Sequence, residues 1–328
     1  MSVNDSIIVL LGAPGADDVL TVAKHLPASR TLWIDNEWLL RARGLSWRID
    51  RDGNAALRVG ERTASPLGCV FYRPEMRFDP GQRLAEYVLV PDPALDGDYH
   101  EFGRREAAAT LLGALSSETD RWVNNPAAET AADLKLHQLR LAADLGLTVP
   151  ATVVSDDRHV LASFWAEHGG EVVTKAVATA SGWAIAETIM TRRVSKADLD
   201  MLKNAAPCVT LFQELIPAAY DVRVTLAGDE VFGCAIYSQE GQSPIDWRLD
   251  QSVPMRSCDL PDDVIAKLQR LRRALGLDCA AADLRIEPDG TPVFFEINAR
   301  GSFAFVEART ELPISKAIAS LLLSRADS

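Results

Sequence analysis

The sequence predicts an α/β (α+β) protein of about two or three compact units, on three observations. It opens strand–helix–strand, which makes a small α/β layer. Its middle alternates short apolar runs with helical spacing, and its last third is mainly strands joined by tight turns. With 328 residues, 48% apolar and 24% charged, the composition is that of an ordinary globular chain.

Ser6–Leu11 reads as a buried parallel strand that leaves into Gly12-Ala13-Pro14-Gly15; Ala16–His25 has helical spacing, and Thr31–Asp35 is a second strand. No Gly-x-Gly-x-x-Gly follows the first strand, so no dinucleotide site is read there. Strands follow at Leu45–Asp50, Ala56–Val59 and Cys69–Tyr72, then a helix over Glu101–Ser117. Ala127–Leu145 reads as one helix with Lys135 in its middle, leading into a strand over Leu147–Val154. Asp156-Asp157 can cap a helix over Arg158–His168, which Gly169-Gly170 ends. Glu171–Lys175 is a strand, Ala176–Gly182 a small-residue loop, Trp183–Ile189 a strand and Lys196–Asn204 a helix. Val209–Glu214, Asp221–Leu226 and Val231–Ser238 are strands, and Asp262–Leu275 and Ser315–Leu323 are helices. The expected domains are 1–120, 121–212 and 213–328.

A formal net charge of −12 argues against broad binding to nucleic acid or an anionic membrane, so an anionic substrate needs a local basic cluster. Five scattered cysteines without a Cys-x-x-Cys pair read as reduced, buried thiols in a cytoplasmic protein. No zinc-type histidine spacing or Gly-x-Ser-x-Gly elbow is present. The opening apolar run is too short to span a bilayer.

The most informative segment is the hairpin Ala282–Ile286 and Val293–Asn298 around Glu287-Pro288-Asp289-Gly290. With a four-residue loop, Ile286 pairs with Thr291 and Asp283 falls opposite Phe294, which makes Asp283 and Glu296 diagonal neighbours roughly 7–8 Å apart on one face. Two carboxylates and the Asn298 amide oxygen then converge beside Arg285. Such a set suits Mg²⁺ holding nucleotide phosphates better than an all-protein Ca²⁺ cage; the alternative is a solvated hairpin whose charges face water. Lys175, ahead of a small-residue loop, supplies a point charge for phosphate, or is an exposed lysine on a surface hairpin. Gln213-Glu214-Leu215-Ile216, ending at Pro217, reads as a hinge for an adenine edge and a ribose. Asp221-Val222-Arg223 puts both charges on one strand face. Asp229 reads as a turn residue, Asp246-Trp247-Arg248 as solvated surface, and Phe303, Phe305 and Val306 as core. Arg73 and Arg77 end the N-terminal sheet, where α/β folds place ligands, and are candidates for a substrate anion.

Taken in order, these motifs resemble the ATP-grasp superfamily of carboxylate–amine ligases. The resemblance implies an N-terminal α/β pre-ATP-grasp domain, a small central domain and a C-terminal antiparallel-sheet domain, with ATP clasped between two sheets. It implies Lys135 and Lys175, with Ser181 and Gly182 of the loop, on the phosphates. It further implies Gln213, Glu214, Leu215 and Ile216 at the adenine, Asp283, Glu296 and Asn298 on Mg²⁺, and Arg223, Arg285 and Arg300 near the transferred phosphate. A narrower resemblance covers almost the whole chain. Tyr72-Arg73-Pro74, Trp122–Pro126, Leu136–Arg140, Gly146–Pro150, Tyr220–Thr225 and Leu312–Ser315 are similar to the ATP-grasp peptide maturases, the graspetide (microviridin-type) macrocyclases. That implies a ribosomal precursor peptide, leader and core, as partner, Asp or Glu side chains activated as acyl phosphates, closure of lactone or lactam links, and a homodimer. Two departures stand out: Asn298 precedes Ala299-Arg300-Gly301 where the family tends to write Asn-Pro-Asn-Gly, and a single Arg73 stands before proline. The competing expectations are an ATP-grasp ligase for free amino acids or a small carboxylate metabolite, and a nucleotide-sensing scaffold without turnover.

Overall fold

A computed structural model of the chain describes residues 6–12, 17–34, 45–64, 66–73, 97–177, 190–202 and 208–328. The loop residues Ser181 and Gly182, the strand expected over Trp183–Ile189 and the candidate Arg77 lie outside the described residues. The chain divides into two compact units. One comprises Met1–Ala128, Leu277–Cys279 and Pro313–Ser328; the other comprises Glu129–Gly276 and Ala280–Leu312.

In the first unit, β1 (Ile7–Gly12) runs parallel to β2 (Thr31–Ile34) and to β6 (Leu67–Arg73), and β7 (Trp122–Val123) extends the parallel sheet beyond β6. The near-continuous apolar runs of β1 and β6 are buried, as a parallel sheet covered on both faces requires. A separate antiparallel sheet holds β3 (Leu45–Ile49), β4 (Ala55–Val59) and β5 (Arg62–Thr63). The helices here are α1 (Asp17–Ala23) and α2 (Gly97–Glu118), with α3 (Pro126–Ala132) starting at the boundary. Val9, Leu11, Ile34, Leu57, Leu115 and Trp122 share one core. The last helix of the chain returns here: Cys69 Sγ donates to Leu322 O, and Ser6 Oγ to Ala326 O. A Cβ on Gly68 would sit 2.7 Å from the Ala326 Cβ, so glycine permits that approach.

The second unit holds two antiparallel sheets. The smaller has the order β10–β9–β11–β8, from β8 (Thr152–Ser155), β9 (Val172–Lys175), β10 (Arg192–Arg193) and β11 (Thr210–Glu214). Its core is Leu161, Val172, Val194 and Phe212, under α5 (Arg158–Glu167) and α6 (Lys196–Leu202). As expected, the Asp157 carboxylate caps α5 by accepting from the His159 N–H. The larger sheet has the order β14–β13–β12–β15–β16, from β12 (Tyr220–Ala227), β13 (Glu230–Ile236), β14 (Met255–Cys258), β15 (Cys279–Ile286) and β16 (Pro292–Asn298). The amphipathic α7 (Asp262–Ala274) buries Val264, Leu268 and Leu271. Next come α8 (Ala304–Thr310) and the returning helix α9 (Ile314–Asp327); Phe303, just before α8, and Val306 within it are core as expected, whereas Phe305 is only half-buried.

Three expectations need correction. Ala127–Leu145 is two helices, α3 and α4 (Lys135–Asp144), broken at Asp133-Leu134. The Gln138 amide donates to the Ala132 carbonyl at the break, so Lys135 opens a helix rather than sitting inside one. Leu147–Val154 is a strand only from Thr152; Thr148 instead bridges to Val293. Not every thiol is buried: Cys208 is exposed and Cys258 half-buried, although all five cysteines are free. Among the described residues no helix is long and apolar enough to cross a membrane.

Candidate functional site: a cavity edged by crossed ion pairs

The larger sheet ends at β16, whose outer edge would leave backbone groups unpaired. Gln138 closes part of it: its Nε2 donates to Ile297 O (2.8 Å) and its Oε1 accepts from the Ile297 N–H (3.0 Å). The Phe294 N–H donates to Thr148 O (2.8 Å). Lys135 lies one helical turn before Gln138, so it shares that face of α4. Its Nζ reaches Glu296 Oε2 (3.3 Å) and donates to Ala176 O (3.1 Å). The register of two strands thus sets where this lysine points.

The hairpin register differs from the expected one. Ile286 pairs with Pro292, the turn takes five residues with Gly290 at φ +91°, and Asp283 lies directly opposite Glu296. The cause is a bulge between Asp283 and Leu284, which pair with Glu296 and Phe294 and leave Phe295 without an opposite residue. The carboxylates are therefore closer partners than a diagonal would make them, and Phe295, Glu296 and Asn298 all face the same cavity.

That cavity has a volume of about 330 Å³. The smaller sheet contributes Val173, Lys175, Gln213 and Glu214, and the larger sheet Asp221, Asp283, Arg285, Glu296 and Asn298. Leu215 and Ile216 line the stretch between them, and Lys135 joins from α4. Lys175 and Arg285 both lie over the Phe295 ring, 5.4 and 5.5 Å from its centroid. Gln213 is buried and donates to Thr152 Oγ1 (2.9 Å); Glu214 accepts from the Ala151 N–H (3.0 Å).

The charges are arranged in a definite pattern. Asp221-x-Arg223 on β12 and Asp283-x-Arg285 on β15 pair crosswise. Arg223 Nη1 contacts both Asp283 oxygens (2.9 and 2.8 Å), while Arg285 Nε and Nη2 reach the Asp221 carboxylate (2.8 and 3.2 Å). Arg285 also donates to the carbonyls of Ile216, Pro244 and Ile245. Arg223 donates to Ser302 O (3.2 Å), and its buried Nε has no partner among the described residues. Asn298 Nδ2 lies 3.2 Å from Asp283 Oδ2 and from Glu296 Oε1. Burial raises the Lys175 cost of carrying charge: desolvation, with Lys135 nearby, outweighs the Glu296 attraction and lowers its pKa to about 8. At Glu296 burial pushes upward, but Lys135, Lys175, the Asn298 amide and Arg248 together hold it at about 2. Asp283 is raised, by burial first and by the adjacent Glu296, against the pull of Arg223.

The donor set fits Mg²⁺. Two opposed carboxylates share one amide, whose oxygen turns inward on a 180° flip. Two carboxylates and one amide are oxygen donors of the kind a hard cation takes, and they are fewer than a full coordination shell.

The site predicted from sequence is otherwise distributed unevenly. Arg300 does not line the cavity; it is held by Asp133 (3.0 Å) and Glu129 (3.6 Å). Arg73 belongs to the first unit, where it is buried with its Nη2 on Asp18 (2.7 Å). Sequence reasoning missed Phe295, which only the bulge turns inward. It also missed Asp246, Trp247 and Arg248, expected to be solvated surface yet lining the cavity. The available signal was a repeat of the Asp-x-Arg pattern seen at Asp221 and Asp283.

The fold that carries this cavity is the ATP-grasp fold. No family model matches the sequence, and no curated protein does. Solved structures do. The chain is similar to the macrocyclase MdnC from Microcystis aeruginosa MRC, bound with precursor peptide MdnA (TM-score 0.80, 28% identity, covering 97% of this chain and 100% of that one). It is also similar to a Chryseobacterium gregarium RiPP-associated ATP-grasp ligase in complex with ADP and a leader and core peptide (TM-score 0.80, 24% identity, 97% of each chain). The ATP-grasp ligase PsnB, complexed with minimal precursor, Mg and ADP, matches with a TM-score of 0.74 and 21% identity over 97% of each chain.

Proposed function

We propose that the chain is an ATP-dependent carboxylate ligase that closes macrolactone or macrolactam links in a ribosomal precursor peptide, leader and core. The observation that carries this reading is the cluster of Lys135, Lys175, Asp283, Glu296 and Asn298 around one cavity, with Gln213–Ile216 on its wall. Likeness to peptide-bound macrocyclase structures supports the substrate class.

Lys135 and Lys175 hold the phosphates of ATP, and Gln213–Ile216 with Phe295 receive the base. Asp283, Glu296 and Asn298 would hold Mg²⁺, which would supply charge neutralisation for the polyphosphate. A peptide Asp or Glu carboxylate oxygen attacks the γ-phosphorus, the bond to the β-phosphate oxygen breaks, and ADP leaves an acyl phosphate. A peptide hydroxyl or amine then attacks the acyl carbon, expelling phosphate and losing a proton. Positioning and charge supply the rate in such transfers. Arg223, whose Nη1 grips both Asp283 oxygens, acts through that carboxylate by holding it in place. In this reading 1–120 is the pre-ATP-grasp domain, 121–212 the central part and 213–328 the metal-binding part, with Arg73 and Arg77 on a peptide anion and Ser181 and Gly182 on phosphate. A cytoplasmic homodimer belongs to the same reading.

The test is incubation with ATP, Mg²⁺ and the peptide encoded beside the gene. The expected result is loss of one water per link from the peptide, with matching ADP release. ADP release with single amino acids and none with peptide would replace the peptide reading with the small-substrate one.

Lys175 predicts a pH signature. With its pKa about 8 in the free protein, it is increasingly neutral above that pH, and bound triphosphate favours the charged form. ATP binding at pH 8.5 should therefore take up a proton, and affinity should fall as pH rises through 8. Calorimetry in two buffers of different ionisation enthalpy reads the uptake, which Lys175→Arg should abolish. Equal uptake in both proteins would assign the proton elsewhere.

A further inference from the structure

We propose that Arg248 is a further cation of the nucleotide site, contacting the polyphosphate; this rests on the nucleotide reading of the cavity. Arg248 lines the cavity together with Lys135 and Lys175. Asp283 and Glu296 line the same cavity, so Arg248 shares it with the groups assigned to the polyphosphate.

Its present partner is Asp246: Nε lies 2.8 Å from Oδ1 and Nη2 2.5 Å from Oδ2, while Nη1 has no hydrogen bond among the described residues. Asp246 itself is buried and holds two other donors, the Thr191 N–H (3.1 Å) and the Arg248 N–H (3.2 Å). The carboxylate therefore keeps partners if the guanidinium turns toward a ligand. The Arg248 side chain is 47% exposed, so such a turn needs little desolvation. The surrounding backbone is fixed. Arg285 grips the Pro244 and Ile245 carbonyls, and the Trp247 ring stacks on Phe305 at 5.6 Å. A planar fork on a held loop beside two lysines matches the geometry of phosphate recognition.

A purely local role for the Asp246–Arg248 pair would make its loss indifferent to the number of phosphates on the ligand. Calorimetric titration of the full chain with Mg-ATP, Mg-ADP and AMP separates the two roles. For Arg248→Met, ATP and ADP affinity should fall about 10- to 100-fold and AMP affinity by less than about threefold. Arg248→Lys should fall between parent and Arg248→Met for ATP, and it carries the test if the methionine variant does not fold. Equal weakening of ATP and AMP, or unchanged ATP affinity in a folded variant, overturns the assignment of Arg248 alone. A parent protein that binds no ATP overturns the nucleotide reading, and Arg248 with it.

Discussion

Glu296→Gln should lower ATP turnover about 10³-fold or more, a barrier increase of about 4 kcal/mol, while leaving the protein folded. The substitution keeps shape and removes charge at a carboxyl held at about 2, and so ionised at any working pH. Two losses combine. The opposed carboxylate pair of Asp283 and Glu296 becomes a single anion, which would weaken the proposed hold on Mg²⁺. Lys135, 3.3 Å away, loses its counter-ion next to Lys175. The side chain is 17% exposed, so its neutral replacement strands no deeply buried group. Far-ultraviolet circular dichroism and ADP release against Mg²⁺ concentration read the two effects separately. Turnover within tenfold of the parent, with unchanged Mg²⁺ dependence, would remove Glu296 from the metal site.

Arg285→Met should destabilise the protein by about 3–5 kcal/mol, because it leaves the Asp221 carboxylate buried without a cation. Arg285 and Asp221 are 5% and 6% exposed, and three backbone carbonyls also lose their donor. The resemblance places Arg285 near the transferred phosphate; in the structure it lines the cavity and also ties β12, β15 and the Pro244-Ile245 loop together. Adding Asp221→Leu should recover much of the loss, since a buried apolar pair is often as stable as a buried ion pair. Urea unfolding measures both variants. An unchanged transition with turnover abolished would return Arg285 to the reacting groups.

Much of the fold was legible in the chain itself. Apolar runs bounded by turn residues located β1, β6, β11, β12 and β13 to within a residue or two. The Asp157 cap and the Gly169-Gly170 stop bounded α5, because these signals act within one turn of the backbone. Lys175, Gln213–Ile216, Asp283, Glu296 and Asn298 were named from local motifs and Lys135 from the family resemblance, and the tertiary structure brings them to one cavity.

The misses share a cause. The bulge at Asp283/Leu284 inserts one residue into β16, and no periodicity read along a single strand reveals its partner's register. The break at Asp133-Leu134 has no proline or glycine; it is stabilised by Gln138, whose amide also closes the β16 edge. Asp246-Trp247-Arg248 lies in irregular backbone, where burial depends on Thr191 and Phe305, distant in sequence.

By itself, then, the sequence determined which residue types could bind phosphate and metal, and the order of strands and helices that bears them, because those signals are short-range. Tertiary structure alone decided which arginines are free to meet a ligand. Arg223 and Arg285 neutralise carboxylates across neighbouring strands, Arg300 is held by Asp133 and Glu129, and Arg248 keeps one nitrogen without a bond among the described residues. A guanidinium's role follows from the nearest anion in space, and sequence spacing does not contain that distance.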